Sequence, residues 1–300
     1  MLEYNEPTFV IGTGRSGLTP LMHLIAYHQD LSWPSQYNNK FPHQNYVSYL
    51  SRVVSLPFFN SGFKFKRFVP THSESYDLWN SLFRGFRRPF RDLYDFDVTN
   101  TTKDRFRTTI RNIMKYQGKN HFIAEYSGWS RIGFFNEIFS ECKFIHIIRD
   151  GRAVANSLND VFYWLGWEGI HKWRWGILPD DLFQIWERYN YSFLALAAIQ
   201  WKVLINNIHE QSKNISSNRF LTIRYEDLVN NPVSIANQCV NFMGLDCGLK
   251  NFSNHLKKVK IIDANNETFR IPSWKQSLKK EHIDMLNDIL REELDKFSYI

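Results

Sequence analysis

Ten residues near the start of the chain, GTGRSGLTPL from Gly12 to Leu21, carry glycine, hydroxyl and guanidinium groups at a spacing that suits an anion. Gly12, Gly14 and Gly17 let backbone N–H groups approach a phosphate closely, and the helix that should follow adds partial positive charge at its start. In the ATP or GTP loop G-x-x-x-x-G-K-[ST], the Lys reaches the outer phosphates and the hydroxyl holds magnesium. Here Gly12 and Gly17 keep the spacing, Leu18 stands where the Lys would be, and Arg15 puts a cation inside the turn. The loop predicts a phosphate-bearing ligand and is badly equipped for ordinary nucleoside triphosphate hydrolysis. A second set lies in IIRDGRAVANSL, where Arg149 closes an apolar run and Ser157 follows eight residues later, just over two helical turns on. A guanidinium fork and a hydroxyl so placed can converge on one phosphate. The competing reading pairs Arg149 with Asp150 or another carboxylate and leaves Ser157 facing solvent.

Such groups need a frame, and the apolar patterning supplies one. Four β-rich runs, Thr8 to Gly12, His121 to Tyr126, Lys143 to Arg149 and Arg219 to Tyr225, are each followed by a helical pattern or a turn. KFIHII is continuously apolar in its middle, as in a strand buried on both faces, and Asp150-Gly151 opens a helix expected to run to about Trp164. The alternation predicts an α/β fold, a P-loop NTPase-like parallel sheet flanked by helices, with ligands at the carboxyl ends of the strands. Residues 1–300 read as a single domain, with 33–120 and 164–180 as insertions that shape the acceptor side. A long helix is expected from Asp181 to Gln211, its Trp186, Tyr189, Phe193, Leu196, Ala197, Trp201 and Leu204 forming a core stripe, and a last helix over Lys279 to Lys296.

The chain has 300 residues, 43% of them hydrophobic, enough for a substantial core. Its formal charge of +7 favours an anionic ligand, but the 30 acidic residues are mixed among the 37 basic ones, so no nucleic-acid-binding block is expected. Cys142, Cys239 and Cys247 are too scattered for a disulfide framework or a structural zinc site. With no signal-like start and no apolar run long enough to span a bilayer, a soluble cytoplasmic protein is expected.

Taken together, three segments resemble a known family. GTGRSGLTPLMHLI resembles the 5′-phosphosulfate loop of sulfotransferases, RDGRAVANSL their 3′-phosphate strand and helix, and IRYEDLVNNP the strand and turn near the adenine. The similarity runs from Phe9 to about Gly244 and is closest to the group that holds bacterial and tyrosylprotein sulfotransferases. It implies 3′-phosphoadenosine 5′-phosphosulfate (PAPS) as co-substrate, PAP as product and no metal. It also implies that Arg15 acts on the bridging oxygen, while Gly14, Ser16, Gly17, Leu18 and Thr19 hold the 5′-phosphate. Arg149 and Ser157 would hold the 3′-phosphate and Tyr225 the adenine, with Arg270, Trp274 and Lys275 in a loop over the nucleotide.

The departures bear on catalysis. Many relatives carry a Lys where Tyr126 stands, so its task is left unfilled or passes to another residue such as Lys40, Lys64 or a neighbouring Arg. Tyrosylprotein sulfotransferases have a Glu where counting places Gln36, and an amide cannot take a proton usefully near pH 7. Glu125, at the end of a strand on the functional edge, is the first candidate base, followed by His43 and His72. The segment YWLGWEGIHKWRWGILP sets Trp164, Trp167, Trp173 and Trp175 among Lys172, Arg174 and Glu168, which suits either a ring-bearing acceptor or the packing of an inserted loop. The expected acceptor is a small molecule, lipid or glycan. A non-catalytic nucleotide or glycan binder and a P-loop kinase stay open as other readings.

Overall fold

The structure, a computed structural model, describes residues 4–55, 69–248, 252–253, 256 and 274–300. Strands β1 (Thr8–Gly12), β2 (Leu31–Ser32), β3 (His121–Ser127), β4 (Lys143–Ile148) and β5 (Phe220–Arg224) form one parallel sheet. Their order is β2-β3-β1-β4-β5, with Gly12 opposite Ser127 and Thr8 opposite Lys143. Helices before β4 are α1 (Leu18–Ile25), α2 (Gln36–Lys40), α3 (Tyr76–Leu82), α4 (Asn100–Gln117) and α5 (Ile132–Ile138). After it come α6 (Gly151–Asn159), α7 (Asp180–Arg188), α8 (Phe193–Ser212), α9 (Tyr225–Asn230) and α10 (Pro232–Phe242). This is the α/β, P-loop-like arrangement that the alternation predicts.

Successive strand residues point to opposite faces, and both faces are covered. Phe9, Phe122, Ala124, Tyr126 and Phe144 pack against Phe106, Phe134 and Phe135 on one side, where the Phe9 and Phe135 rings stack at 3.9 Å. Val10, Ile123, Ile145 and Ile147 meet Leu21, Met22 and Ile25 of α1 and Cys239 and Val240 of α10 on the other. A third cluster joins Ile148 and α6 to Trp201 of α8 and to the C-terminal helix Lys280–Ile289.

One expected helix ends early and two are divided. The one after β4 stops at Asn159, where Asp160 caps it. Asp181 to Gln211 is two helices, α7 and α8, because Asn190 and Tyr191 adopt φ of 50° and 57° and Ser192 starts α8 by accepting from the Ala195 N–H. Left-handed residues cannot continue a right-handed helix. The last helix also divides, at Leu290. Of the core stripe, Trp186, Leu196, Ala197, Trp201 and Leu204 are buried and Tyr189 is partly buried, whereas Phe193, in the first turn of α8, is 42% exposed. β2 has only two residues, too short for any alternation to be visible in the sequence.

Candidate functional site

The loop from Gly12 to Gly17 joins β1 to α1 at the carboxyl edge of the sheet. Gly12 has no room for a side chain, since a Cβ would stand 2.5 Å from Ser16 Oγ and 2.8 Å from the Ile147 carbonyl oxygen. Gly17 adopts φ 103°, and its Cβ would lie 2.3 Å from the Tyr225 ring. Gly17→Ala is therefore expected to combine backbone strain with a displaced ring and to cost roughly 1–3 kcal/mol. A thermal melt reads this as a lowered Tm, and an unchanged Tm would mean that Tyr225 yields freely.

Arg15 is exposed and also left-handed, at φ 67°. Its Nε donates to Ser157 Oγ at 2.9 Å and its Nη1 to the Tyr163 hydroxyl at 3.2 Å. Its carbonyl accepts from Arg149 Nη1 at 3.0 Å. Arg149 is only 6% exposed, with its guanidinium carbon 4.4 Å from the centre of the Tyr225 ring. The Asp150 alternative does not form: that carboxylate is taken by Arg152, at 2.8 Å. Ser157 is likewise engaged with Arg15 rather than turned to solvent. The structure thus gathers Arg15, Gly17, Arg149, Ser157 and Tyr225 around one loop, from three segments far apart in the chain.

The loop has the polarity an anion requires. Thr13 Oγ1, Ser16 Oγ and Arg149 Nη2 are buried with no hydrogen-bond partner, a state that costs stability unless a ligand completes it. Burial pushes the Arg149 pKa down, while Tyr225 and Glu226 push it up and Arg15 adds to the lowering. A phosphate would supply the missing counter-charge and acceptors. Leu18 turns into the core, leaving only its backbone at the loop, and Thr19 is exposed beside a second cleft.

Two clefts flank the loop. One, of about 360 Å³, opens at Gly14 and is lined by Glu74, Ser127, Tyr163 and the tryptophans 129, 164, 173 and 175. The other, of about 530 Å³, is lined by Thr19, Gln36, His72, Glu74 and Glu125. Glu74 therefore belongs to both. Burial raises its carboxyl pKa to about 7, and the charge of Glu125 adds to the rise, while bonds from the Ser127 and Tyr76 hydroxyls and the charge of Arg131 oppose it. Glu125 is 2% exposed, and its Oε1 lies 2.7 Å from His72 Nδ1, whose ring continues to His23 at 3.0 Å. It does not line the cleft at Gly14.

The other sequence candidates fall elsewhere. His43 is exposed and lines neither cleft. Gln36 spends its amide on the backbone, donating to the Val69 carbonyl at 2.8 Å and accepting from the Thr71 N–H at 2.6 Å. Tyr126 faces the core, where its hydroxyl donates to the Ser130 carbonyl at 2.8 Å, and Lys40 is exposed beside Phe41. Trp274 is buried against α6, 4.6 Å from the Arg152 guanidinium, and Lys275 is exposed next to it. Arg270 and Lys64 lie outside the described residues. Glu74 carried no sequence signal, since it sits in an aperiodic stretch and acquires its environment through burial beside Glu125, Ser127 and Arg131, more than fifty residues away. Among the described residues no cluster of His, Cys, Asp or Glu is placed to hold a metal ion, and no helix is long and apolar enough to cross a membrane.

Comparisons with known proteins bear on the family and the fold. The family model described as Sulfotransferase family matches residues 7–248. Sulfotransferase STF9 from Mycobacterium avium superposes with a TM-score of 0.60 at 12% identity, over 99% of this chain and 77% of that one. Sulfotransferase STF1 from Mycobacterium tuberculosis H37Rv gives 0.50 at 12% identity, over 96% of this chain and 77% of that one. These likenesses show a shared fold. No curated protein sequence matches the chain.

Proposed function

The chain belongs to the sulfotransferase family, and from that premise we propose that it transfers a sulfuryl group from PAPS to a hydroxyl or amine of a small-molecule or glycan acceptor. The observation that carries this reading is the convergence of Arg15, Arg149, Ser157 and Tyr225 on one loop whose buried Thr13, Ser16 and Arg149 polar atoms lack partners. PAPS has a phosphate at each end of its nucleotide, and two separated anion stations suit it better than a single cradle. When bound, it supplies an activated sulfur: the acceptor oxygen bonds to sulfur as the sulfur–oxygen bond to the 5′-phosphate breaks, and the electron pair stays on PAP.

The side chains divide the remaining work. Arg15 would meet the negative charge that grows on the leaving oxygen, and its charge would then stabilise the transition state more than the ground state. Backbone N–H groups of Gly14, Ser16, Gly17, Leu18 and Thr19 and the Ser16 hydroxyl would hold the 5′-phosphate, and Arg149 with Ser157 the 3′-phosphate. Tyr225 stacks on Arg149 and would carry the adenine. Glu74 takes the acceptor proton, because it lines the cleft at Gly14 and its pKa near 7 suits a base at neutral pH. Glu125 is a positioning residue behind it, raising its proton affinity by like charge.

PAP should raise the Tm of the protein while ATP with magnesium does not, and Arg149→Ala should remove the PAP shift. Stabilisation by ATP alone would overturn the donor assignment. Failure to move labelled sulfate from PAPS to any acceptor class, despite PAP binding, would overturn catalysis.

A further inference from the structure

The cleft at Gly14 holds more positive charge than transfer from PAPS requires. Arg87 and Arg88, just beyond α3, face Lys172 and Arg174 of the tryptophan-rich segment across it. Arg87 is paired with Asp77 at 2.9 Å and Lys172 with Glu168 at 3.2 Å. Among the described residues, the guanidinium groups of Arg88 and Arg174 have no ion pair or hydrogen bond; the Arg88 backbone N–H donates to the Gly85 carbonyl. Burial and then the like charges of Arg88 and Arg87 lower the Arg174 pKa, so these guanidiniums repel one another as they stand. The walls add donors without acceptors: the indole N–H groups of Trp129 and Trp173 are buried and unpartnered, and an indole nitrogen can only donate. Trp129 is itself 8% exposed. Glu74 is the one carboxylate among the lining residues, and Trp129 and Trp175 meet edge to face, 5.9 Å between ring centres.

Cations without partners, unpartnered donors and indole faces are together the complement of a ring that carries oxygen-rich negative charge. We propose that the cleft is the acceptor subsite and that the acceptor is a ring bearing, besides its reactive hydroxyl, its own anionic group, held by Arg88 and Arg174. The proposal rests on the sulfotransfer reading and narrows it: the acceptor already carries a carboxylate, sulfate or phosphate. Arg88 and Arg174 then fix which acceptors enter, and Glu74 stands in the same cleft to receive the hydroxyl proton.

Binding to the PAP-loaded protein, measured by calorimetry, tests this with two matched pairs. These are 4-hydroxybenzoate against 4-hydroxybenzamide, and methyl glucuronide against methyl glucoside. The expected result is that the anionic member of at least one pair binds roughly tenfold or more tightly than its neutral partner. The pair that discriminates tells an aryl from a sugar acceptor. Arg88→Ala and Arg174→Ala should each erase most of that preference while PAP affinity stays as in the parent protein, which also reports that the variants fold. Equal affinity within both pairs, no binding of any probe, or an unchanged preference in the variants would overturn the proposal. Loss of PAP binding by the parent protein would instead remove the sulfotransfer reading on which it rests.

Discussion

Arg15→Ala is expected to lower kcat by about 100- to 1000-fold, the usual cost of removing one well-placed charge-stabilising donor. PAP binding should survive, because Arg149, Ser157 and the loop backbone remain. So should the fold: the Arg15 side chain is exposed, and its two hydrogen bonds go to Ser157 and Tyr163 rather than into the core. Arg15→Lys keeps the charge but not the fork that reaches both hydroxyls, and should fall between the two. A loss in KM alone would mark Arg15 as a uniform binding group, and unchanged kinetics would remove it from the mechanism.

Glu74→Gln should lower kcat by roughly 100- to 10,000-fold, the range for a lost general base. The pH profile separates this role from a structural one. In the parent enzyme kcat/KM should rise through about pH 7, as Glu74 loses its proton, and the variant should lose that limb. Glu125→Gln should shift the limb to lower pH, since its charge is the second cause of the raised value. Stability moves the opposite way. The folded pKa of about 7 lies above the ordinary 4.5, so the unfolded chain releases its proton first, and stability falls as pH climbs from about 4.5 to 7. Above pH 7 the penalty is constant, and Glu74→Gln should relieve roughly 3 kcal/mol of it at most. A variant that is both fully active and no more stable at pH 8 would dismiss Glu74 as the base.

Much of this architecture could be read from residue order because it depends on local chemistry. The glycines at 12 and 17, the apolar runs of β1 and β4 and the Arg149 to Ser157 interval each encode their geometry within a dozen residues. The chain breaks at Asn190 and Tyr191 did not announce themselves, since neither residue type requires positive φ. Glu74 was hidden for another reason: its character comes from Glu125 and Ser127, some fifty residues away, and burial of that kind has no local signature. Tyr126 shows the reverse case. Strand alternation puts Tyr126 on the opposite face from Glu125, in the aromatic core, where its hydroxyl donates to the Ser130 carbonyl and its ring lies under the Arg131 guanidinium.

The loop and Arg149 sit at the ends of β1 and β4, which are adjacent in the sheet and locked in register from Thr8 to Ile11. Neighbouring strands keep a separation of about 4.8 Å, and no flexible connection intervenes between the two stations. On the PAPS reading the site would act as a gauge. A nucleotide with one phosphate would occupy one end only, and selection of the donor would operate on the span of the ligand before any atom of the base is inspected.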